Sequence, residues 1–291
     1  MTIPITGHTK LIGLLGDPVA HSISPMMHNE SFRLLGLDYV YLCFRVNEDT
    51  LPHVVTGLRD AGIRGFNVTM PCKNQMVQLC DHLSPAARLI GAVNTVVCDD
   101  GVLTGHNTDG VGFWRAAALE GFSVPGKRIT LMGMGGASTA IAVQAALDQA
   151  AALDIFVRPT SRFFPRARRV ADELNHATGC RVRVLEHEDQ KSLADSIGQA
   201  DLLVNGTSVG MAPNTDATIL TDCSLLRPDL MVADVIYNPR ETLFLKNARQ
   251  AGCRTFNGMY MLLYQGAEAF RLWTGQDMPV ELIREKYFSQ F

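Results

Sequence analysis

The sequence contains no apolar run that approaches the roughly 18 residues needed to cross a bilayer, so we do not expect a membrane-spanning protein. The first ten residues, MTIPITGHTK, lack the basic start and apolar stretch of a secretory signal. A net charge of -3 over 291 residues gives no strongly basic surface for nucleic acid. No internal repeat or low-complexity tract is present. These absences favour a cytoplasmic protein whose partner is a small molecule.

Cysteine pairs at metal-ligand spacing are also missing. The seven cysteines are an odd number, and no two of them form a C-x-x-C pair, the spacing typical of zinc sites and redox centres. We therefore expect no metal site and interpret the cysteines as small buried hydrophobic residues in a reducing compartment. Cys72 is left open, because it comes directly before a candidate functional lysine.

The composition is that of a globular protein, with 47% hydrophobic and 19% charged residues. The length of 291 residues allows either two domains or one large domain. Residues 11–68 read as β-α-β-α-β with parallel strands, and a β-hairpin follows around Asp99-Asp100-Gly101. The second half alternates strands and helices again, as a doubly wound sheet requires.

One glycine-rich segment is the main pattern of the second half. KRITLMGMGGASTAIAVQAA, residues 127–146, predicts a strand, a tight turn and a helix. Gly133, Gly135 and Gly136 let the backbone approach a pyrophosphate, which the N-terminus of the helix then faces. Ser138 stands where G-x-G-x-x-G has its third glycine, so a plain tight turn of an α/β protein is the alternative.

We predict an α/β protein with two domains. Residues 1–110 and 262–291 form an N-terminal α/β substrate domain, to which the C-terminal helices return. Residues 111–261 form a Rossmann-like doubly wound dinucleotide-binding domain.

Polar side chains recur where predicted strands of the first domain end. They are Ser22, Asn67, Lys73, Asn94 and Asp109. Each alone has an ordinary interpretation, as a helix cap, a turn residue or a surface lysine. Ligands of open α/β sheets, however, bind at the carboxyl ends of the strands. A lysine and an aspartate beside amide groups that bind hydroxyls suit hydride transfer to or from an alcohol carbon.

Motifs along nearly the whole chain resemble, in order, those of the shikimate dehydrogenase family. They are HSISPMMHN, NVTMPCK, GAVNTVV, NTDG, GMGGAS, NGTSVGM, VIYNP and MLLYQGAEAF. The stretches DDGVLTGHNTDG and LLYQGAEAFRLWTG are similar to the quinate/shikimate dehydrogenase branch more than to the biosynthetic enzyme.

The resemblance implies an NAD(P)-dependent oxidoreductase that converts shikimate to 3-dehydroshikimate, or quinate to 3-dehydroquinate. It implies that Lys73 and Asp109 form the catalytic pair, with Lys73 acting as acid and base on the ring hydroxyl that is oxidised. It also implies that Ser22 and Ser24 bind the substrate carboxylate. The further substrate-binding residues that it implies are Thr69, Asn94, Asp109, Tyr237 and Gln265, with Asn67 structural. The cofactor-binding residues that it implies are Gly133, Gly135, Gly136, Ala137, Ser138, Arg158, Arg162, Asn205, Thr207, Met211, Gly258 and Met261. We expect a monomer or a homodimer.

The segment VRPTSRFF, after the second strand of the cofactor domain, departs from the family pattern of NADP-dependent members. Val157 and Pro159 replace Asn and Thr, whereas Arg158 and Arg162 remain. Asp154 is at the sequence distance of a ribose-binding acid but lies too early in its strand to reach a 2′-hydroxyl. Arginines at 158, 162, 166, 168 and 169 favour a phosphate ligand, so we expect NADP slightly over NAD. A solvated basic helix face is the alternative.

Three further departures concern Met134 in the glycine turn, Tyr260 where the family has glycine, and Cys72 before the lysine. Each of them is a candidate for weaker cofactor binding. The alternative functions are therefore a nucleotide-binding sensor that kept the fold and lost turnover, and a dehydrogenase of a shikimate analogue.

Overall fold

The computed structural model describes residues 4–289 and shows a mixed α/β protein. Its contacts divide the chain into two compact units. The first unit runs to Thr108 and resumes at Leu263, and the second unit is Asp109–Leu262. Each unit is built on one six-stranded sheet. Within residues 4–289, no helix has the length and apolar character that a membrane crossing requires.

Between residues 4 and 107, the first unit contains six strands and three α-helices. The strands are Lys10–Gly16 (β1), Tyr39–Arg45 (β2), Gly65–Val68 (β3), His82–Leu83 (β4), Thr95–Asp99 (β5) and Val102–His106 (β6). The helices are Ser24–Leu35 (α1), Leu51–Asp60 (α2) and Pro85–Ile90 (α3), with a 3-10 turn at Gln75–Leu79. Proline and glycine set the ends of α1, because Pro25 occupies its first turn and Gly36, at φ 65°, ends it.

The sheet of the first unit has the strand order β2-β1-β3-β5-β6-β4. β1 pairs in parallel with both β2 and β3, which confirms the predicted β-α-β-α-β arrangement. β5 and β6 form the predicted hairpin, whose turn residues Asp100 and Gly101 have φ of 51° and 82°. The two-residue strand β4 was not predicted, because it is too short to show a periodic pattern.

The C-terminal helices complete the core of the first unit. Met259–Thr274 forms α9 and Val280–Phe288 forms α10. Trp273, 1% exposed, donates from its indole Nε1 to Val96 O in β5 at 2.9 Å. Gly65 makes room for this ring, since a Cβ there would lie 2.5 Å from Trp273 Nε1. The predicted return of the C-terminal helices is therefore confirmed.

The second unit alternates strands and helices. The strands are Arg128–Met132 (β7), Ala152–Val157 (β8), Arg181–Glu186 (β9), Leu202–Asn205 (β10), Met231–Asp234 (β11) and Arg254–Phe256 (β12). The helices are Asp109–Leu119 (α4), Gly136–Leu147 (α5), Phe164–Ala177 (α6), Gln190–Gln199 (α7) and Leu243–Gln250 (α8), with a 3-10 turn at Cys223–Leu225.

All strand pairs of this second sheet are parallel, in the order β12-β11-β10-β7-β8-β9. Counted along the unit, this is the doubly wound order 3-2-1-4-5-6 of dinucleotide-binding proteins. The strand order reverses between β7 and β10, and ligands bind at such a switch point. The predicted Rossmann-like fold is confirmed.

Candidate active site

Lys73 lies in the loop that follows β3, and backbone hydrogen bonds fix both ends of this loop. Thr69 N donates to Leu15 O in β1 at 2.9 Å, and Val93 N donates to Lys73 O at 2.9 Å. The lysine is partly buried at the carboxyl end of β3. The fold thus holds an amine at the edge of the sheet where open α/β proteins bind their ligands.

Ser22 and Ser24 share this edge, in the loop between β1 and α1. Ser24 is the first residue of α1, is 8% exposed, and donates from its backbone N–H to Ser22 Oγ at 3.2 Å. Asp17 N donates to Met70 O at 3.0 Å, which joins the serine loop to the lysine loop. Both serines therefore lie on the side of the sheet that carries Lys73.

Asn94 directly precedes β5 and is 3% exposed. Its backbone oxygen accepts from Val68 N at 2.8 Å, at the end of β3. Its side-chain Oδ1 accepts from Thr108 N at 2.9 Å, and its Nδ2 donates to Thr108 Oγ1 at 3.0 Å. The asparagine thus anchors the residue that precedes Asp109, the first residue of α4.

Asn67 supports Asn94 from within the sheet. Its Nδ2 donates to Asn94 O at 3.1 Å and to Thr95 Oγ1 at 3.0 Å, and its Oδ1 accepts from the Tyr41 hydroxyl at 2.8 Å. The side chain is 6% exposed. These contacts agree with a structural role for Asn67, as the family resemblance implies.

Gln265 lies on α9 next to a close contact between helices of the first unit. A Cβ on the following residue, Gly266, would lie 2.2 Å from Met27 Cε in α1. The missing side chain thus lets α9 approach α1, whose first residue is Ser24.

The cysteines match their predicted role with one correction. Cys72 is fully buried, donates from its thiol to Val46 O at 3.6 Å, and has a pKa raised by burial. Cys98, Cys180 and Cys253 are also buried, whereas Cys43 and Cys80 are partly buried. The prediction is wrong for Cys223, which is exposed because it lies in a short polar 3-10 turn capped by Asp222.

The glycine turn has the geometry of an anion-binding turn. Gly133 has φ 91°, and a Cβ there would lie 2.6 Å from Thr207 Cγ2. Gly135 is extended and precedes α5, whose first residue is Gly136. The first N–H groups of α5 therefore face the switch point with the positive end of the helix dipole.

Ser138 explains the departure from the three-glycine pattern. The Ser138 Oγ donates to Gly206 O at 2.6 Å. A Cβ on Gly206 would lie 2.2 Å from this Ser138 Oγ. The serine thus ties the glycine turn to the loop after β10, where Gly206 leaves room for the hydroxyl.

Asn205 shapes the same loop from its base. The side chain is fully buried, and its Nδ2 donates to both carboxylate oxygens of Asp234 at 3.1 and 3.2 Å. Its Oδ1 accepts from Thr207 N at 3.0 Å and from Thr207 Oγ1 at 2.7 Å. Burial raises the pKa of Asp234 to about 6, although the hydrogen bonds from Ile236 N, Thr242 and Asn205 act to lower this pKa.

A cavity of about 610 Å³ lies at the switch point of the second sheet. Of the predicted cofactor residues, Gly133, Gly135, Arg158 and Thr207 line it. The other predicted cofactor residues lie outside the lining: Gly136, Ala137, Ser138, Arg162, Asn205, Met211, Gly258 and Met261. Met134 also lines the cavity while 1% exposed, so much of its added bulk is packed into the protein.

The far end of the cavity is formed by residues that follow two neighbouring strands. Val157 in β8 pairs with Glu186 in β9, and His187 N donates to Val157 O at 3.2 Å. Arg158 and His187, the next residue of each strand, both line the cavity. Phe163 lines it too, and the Arg162 guanidinium lies 4.8 Å from the centre of its ring. His187 and Phe163 carried no signal in the sequence.

Asp154 is engaged inside the protein, as its place early in β8 predicts. Arg183 Nε and Nη2 donate to its two carboxylate oxygens at 2.8 and 2.6 Å, and Ser196 Oγ donates to it at 2.9 Å. Asp154 therefore links β8 to β9 and does not line the cavity. Among residues 4–289, no cluster of three or more His, Cys, Asp or Glu side chains is placed to hold a metal ion.

The parallel sheet with its reversed strand order, the glycine turn and the cavity between them define a protein of the dinucleotide-dependent dehydrogenase class. Residues 14–96 match the family model "Shikimate dehydrogenase substrate binding domain", and residues 258–286 match "Shikimate 5'-dehydrogenase C-terminal domain". The chain belongs to the shikimate dehydrogenase family.

Relatives resemble the chain over its whole length. A protein of Listeria innocua named shikimate dehydrogenase (NADP(+)) is 48% identical over 288 residues, 99% of each chain. The crystal structure of shikimate 5-dehydrogenase from Listeria monocytogenes with shikimate and NAD is 48% identical, with a TM-score of 0.94 over 98% of each chain. Quinate dehydrogenase from Corynebacterium glutamicum with NAD is 33% identical, with a TM-score of 0.84 over 97% of this chain and 99% of that one.

Proposed function

We propose that the protein is an NAD(P)-dependent shikimate dehydrogenase, which interconverts shikimate and 3-dehydroshikimate. The observation that carries this proposal is the gathering of Lys73, Ser22, Ser24 and Asn94 at one edge of the first sheet. It occurs in a chain that is 48% identical, over 99% of its length, to a named shikimate dehydrogenase. We assign substrate binding to residues 1–110 and 262–291 and dinucleotide binding to residues 111–261.

Lys73 is proposed as the acid and base. In the oxidation direction its neutral amine accepts the proton of the ring hydroxyl, and in the reduction direction its ammonium returns that proton. Asp109 is proposed to hold and orient the lysine and the hydroxyl. When bound, the cofactor supplies the acceptor or donor for the hydride.

The substrate carboxylate is assigned to the hydroxyls of Ser22 and Ser24, which lie in one loop at the start of α1. Ring hydroxyls are assigned to Asn94, Asp109 and Gln265. Thr69 and Tyr237 are assigned to the neighbourhood of the ring, and Tyr237 is 49% exposed, as a ligand-facing residue can be.

We assign the cofactor to the cavity of the second sheet, where the glycine turn provides backbone N–H groups for its phosphates. In the described part of the chain, none of the residues that line this cavity carries a carboxylate, whereas Arg158 and His187 do line it. A carboxylate would accept from a ribose 2′-hydroxyl, while a guanidinium suits a 2′-phosphate. This lining supports NADP over NAD. Gly136, Ala137, Ser138, Arg162, Asn205, Met211, Gly258 and Met261 remain proposed cofactor residues.

The experiment that tests the function is a matrix of shikimate and quinate against NAD and NADP. We expect shikimate with NADP to give the highest kcat/KM. The cavity lining suits the 2′-phosphate of NADP, and the relative that is 48% identical is named for shikimate and NADP(+). Quinate oxidation with NAD as the fastest reaction would assign the protein to the activity of its Corynebacterium relative instead. Cofactor binding without turnover of either acid would favour the alternative of a nucleotide-binding sensor.

We also propose a cytoplasmic location, since all seven cysteines are free thiols, which suits a reducing compartment. A monomer or a homodimer remains the prediction for the oligomeric state.

A further inference from the structure

A buried tyrosine of the first unit is connected by hydrogen bonds to one of the proposed substrate-binding residues. Tyr41 in β2 is 0% exposed, and its hydroxyl donates to Asn67 Oδ1 at 2.8 Å. Asn67 in turn donates to Asn94 O at 3.1 Å. A chain of hydrogen bonds therefore runs from the tyrosine through Asn67 to Asn94.

The position of this hydroxyl is fixed by the packing of the residue that carries it. The Tyr41 ring stacks on His28 with 4.6 Å between ring centres and 13° between planes. The Trp273 ring packs beside it, with 6.2 Å between ring centres and 53° between planes. Asn29 fixes the backbone from α1, since Tyr41 N donates to Asn29 Oδ1 at 2.8 Å and Asn29 Nδ2 donates to Tyr41 O at 2.9 Å.

The protonation state of the phenol suits this arrangement. Burial raises the pKa of Tyr41 well above its ordinary value, so the group stays a neutral donor throughout the range in which enzymes work. As a phenol it can donate one hydrogen bond, and Asn67 Oδ1 accepts it.

We propose that Tyr41 is a positioning residue for the substrate, holding Asn94 through Asn67 in the geometry that binds a ring hydroxyl. The inference rests on the proposed function. In this scheme Tyr41 contacts neither the cofactor nor the reacting atoms. Loss of the hydroxyl would leave a buried acceptor on Asn67 without this donor and would weaken the hold on Asn94.

The test is Tyr41→Phe, which keeps the ring and removes only the oxygen. We expect the KM for shikimate to rise by about 3- to 10-fold, the size of one lost hydrogen bond. The KM for NADP and kcat should change by less than about twofold, since neither the cofactor site nor Lys73 contacts Tyr41 in the proposed scheme. Tyr39→Phe is the matched control, because it removes the same atom two residues earlier on the same strand and should leave all constants unchanged.

A double-mutant cycle tests the connection itself. If Tyr41 acts through Asn67, Asn67→Asp combined with Tyr41→Phe should raise the KM for shikimate less than the product of the two single effects. If Tyr41→Phe proves poorly folded by its melting curve, Asn67→Asp replaces it, since this variant keeps the acceptor for Tyr41 and loses the donation to Asn94.

An unchanged KM for shikimate in a folded Tyr41→Phe variant would overturn the inference. Equal rises in the KM for shikimate and for NADP would also overturn it, because they indicate a general structural loss. Failure of the wild-type protein to oxidise shikimate, in contrast, would refute the proposed function, so the two failures are distinguishable.

Discussion

Replacing Lys73 with methionine should lower kcat for shikimate by about 10²- to 10⁴-fold, the range typical for loss of a general acid and base. Methionine keeps much of the length of the side chain and has no titratable group. The backbone contact of Lys73 O with Val93 N does not involve the side chain, so the loop should keep its position. The affinity for NADP should stay within about twofold of wild type, because the proton-transfer group and the dinucleotide cavity belong to different units.

The measurement is steady-state kcat together with NADP binding by fluorescence titration. Lys246→Met, on an exposed position of α8, is the control for general effects of removing a lysine and should have wild-type turnover. Wild-type turnover in the Lys73 variant would remove Lys73 from the reaction and with it the proposed mechanism.

The second large effect concerns acid stability. His28 is fully buried among Tyr41, Phe270 and Trp273, and neither ring nitrogen has a hydrogen-bond partner among the described residues. Burial lowers the pKa of this histidine from 6.5 to about 3. The unfolded chain therefore takes up a proton below pH 6.5 that the folded chain excludes. The stability that depends on a neutral His28 is complete above pH 6.5 and is lost as pH falls toward 3.

We therefore expect the wild-type protein to lose about 2.5 kcal/mol of unfolding free energy through His28 between pH 7 and pH 4.5, because the loss approaches about 1.36 kcal/mol per pH unit below pH 6.5. In His28→Phe this part of the pH dependence should disappear, whatever the variant's stability at pH 7. Urea unfolding at pH 7 and pH 4.5 measures both differences. His53→Phe, at an exposed position of α2, is the control and should follow the wild-type pH dependence. Parallel losses in wild type and His28→Phe would show that His28 is not the responsible group.

The fold was predictable where local patterns carry the information. The alternation of apolar runs and amphipathic segments, with glycines after β7, specified the doubly wound sheet, and Asp100-Gly101 specified the hairpin turn. The strand β4 was not predictable, because a strand of two residues shows no periodic pattern. It is defined by its pairing with β6, some 20 residues later along the chain.

The site was predictable only in part, because the missed contacts join residues far apart in sequence. Lys73, Ser22 and Asn94 are visible as polar residues at strand ends. Tyr41, in contrast, reads as one more residue of a β-strand, since its partner Asn67 is 26 positions away. Cys223 was misjudged because composition does not show that its segment is a polar surface turn.

The contact between Ser138 and Gly206 makes the residue types at two positions, 68 residues apart, depend on each other. Only about 2.2 Å separates the Ser138 hydroxyl oxygen from the place that a Cβ on residue 206 would occupy, so a side chain at 206 requires this hydroxyl to rotate away or to be absent. Within the family, these two positions should therefore change together: a small residue at one allows a hydroxyl at the other, and chains with bulk at both should be rare.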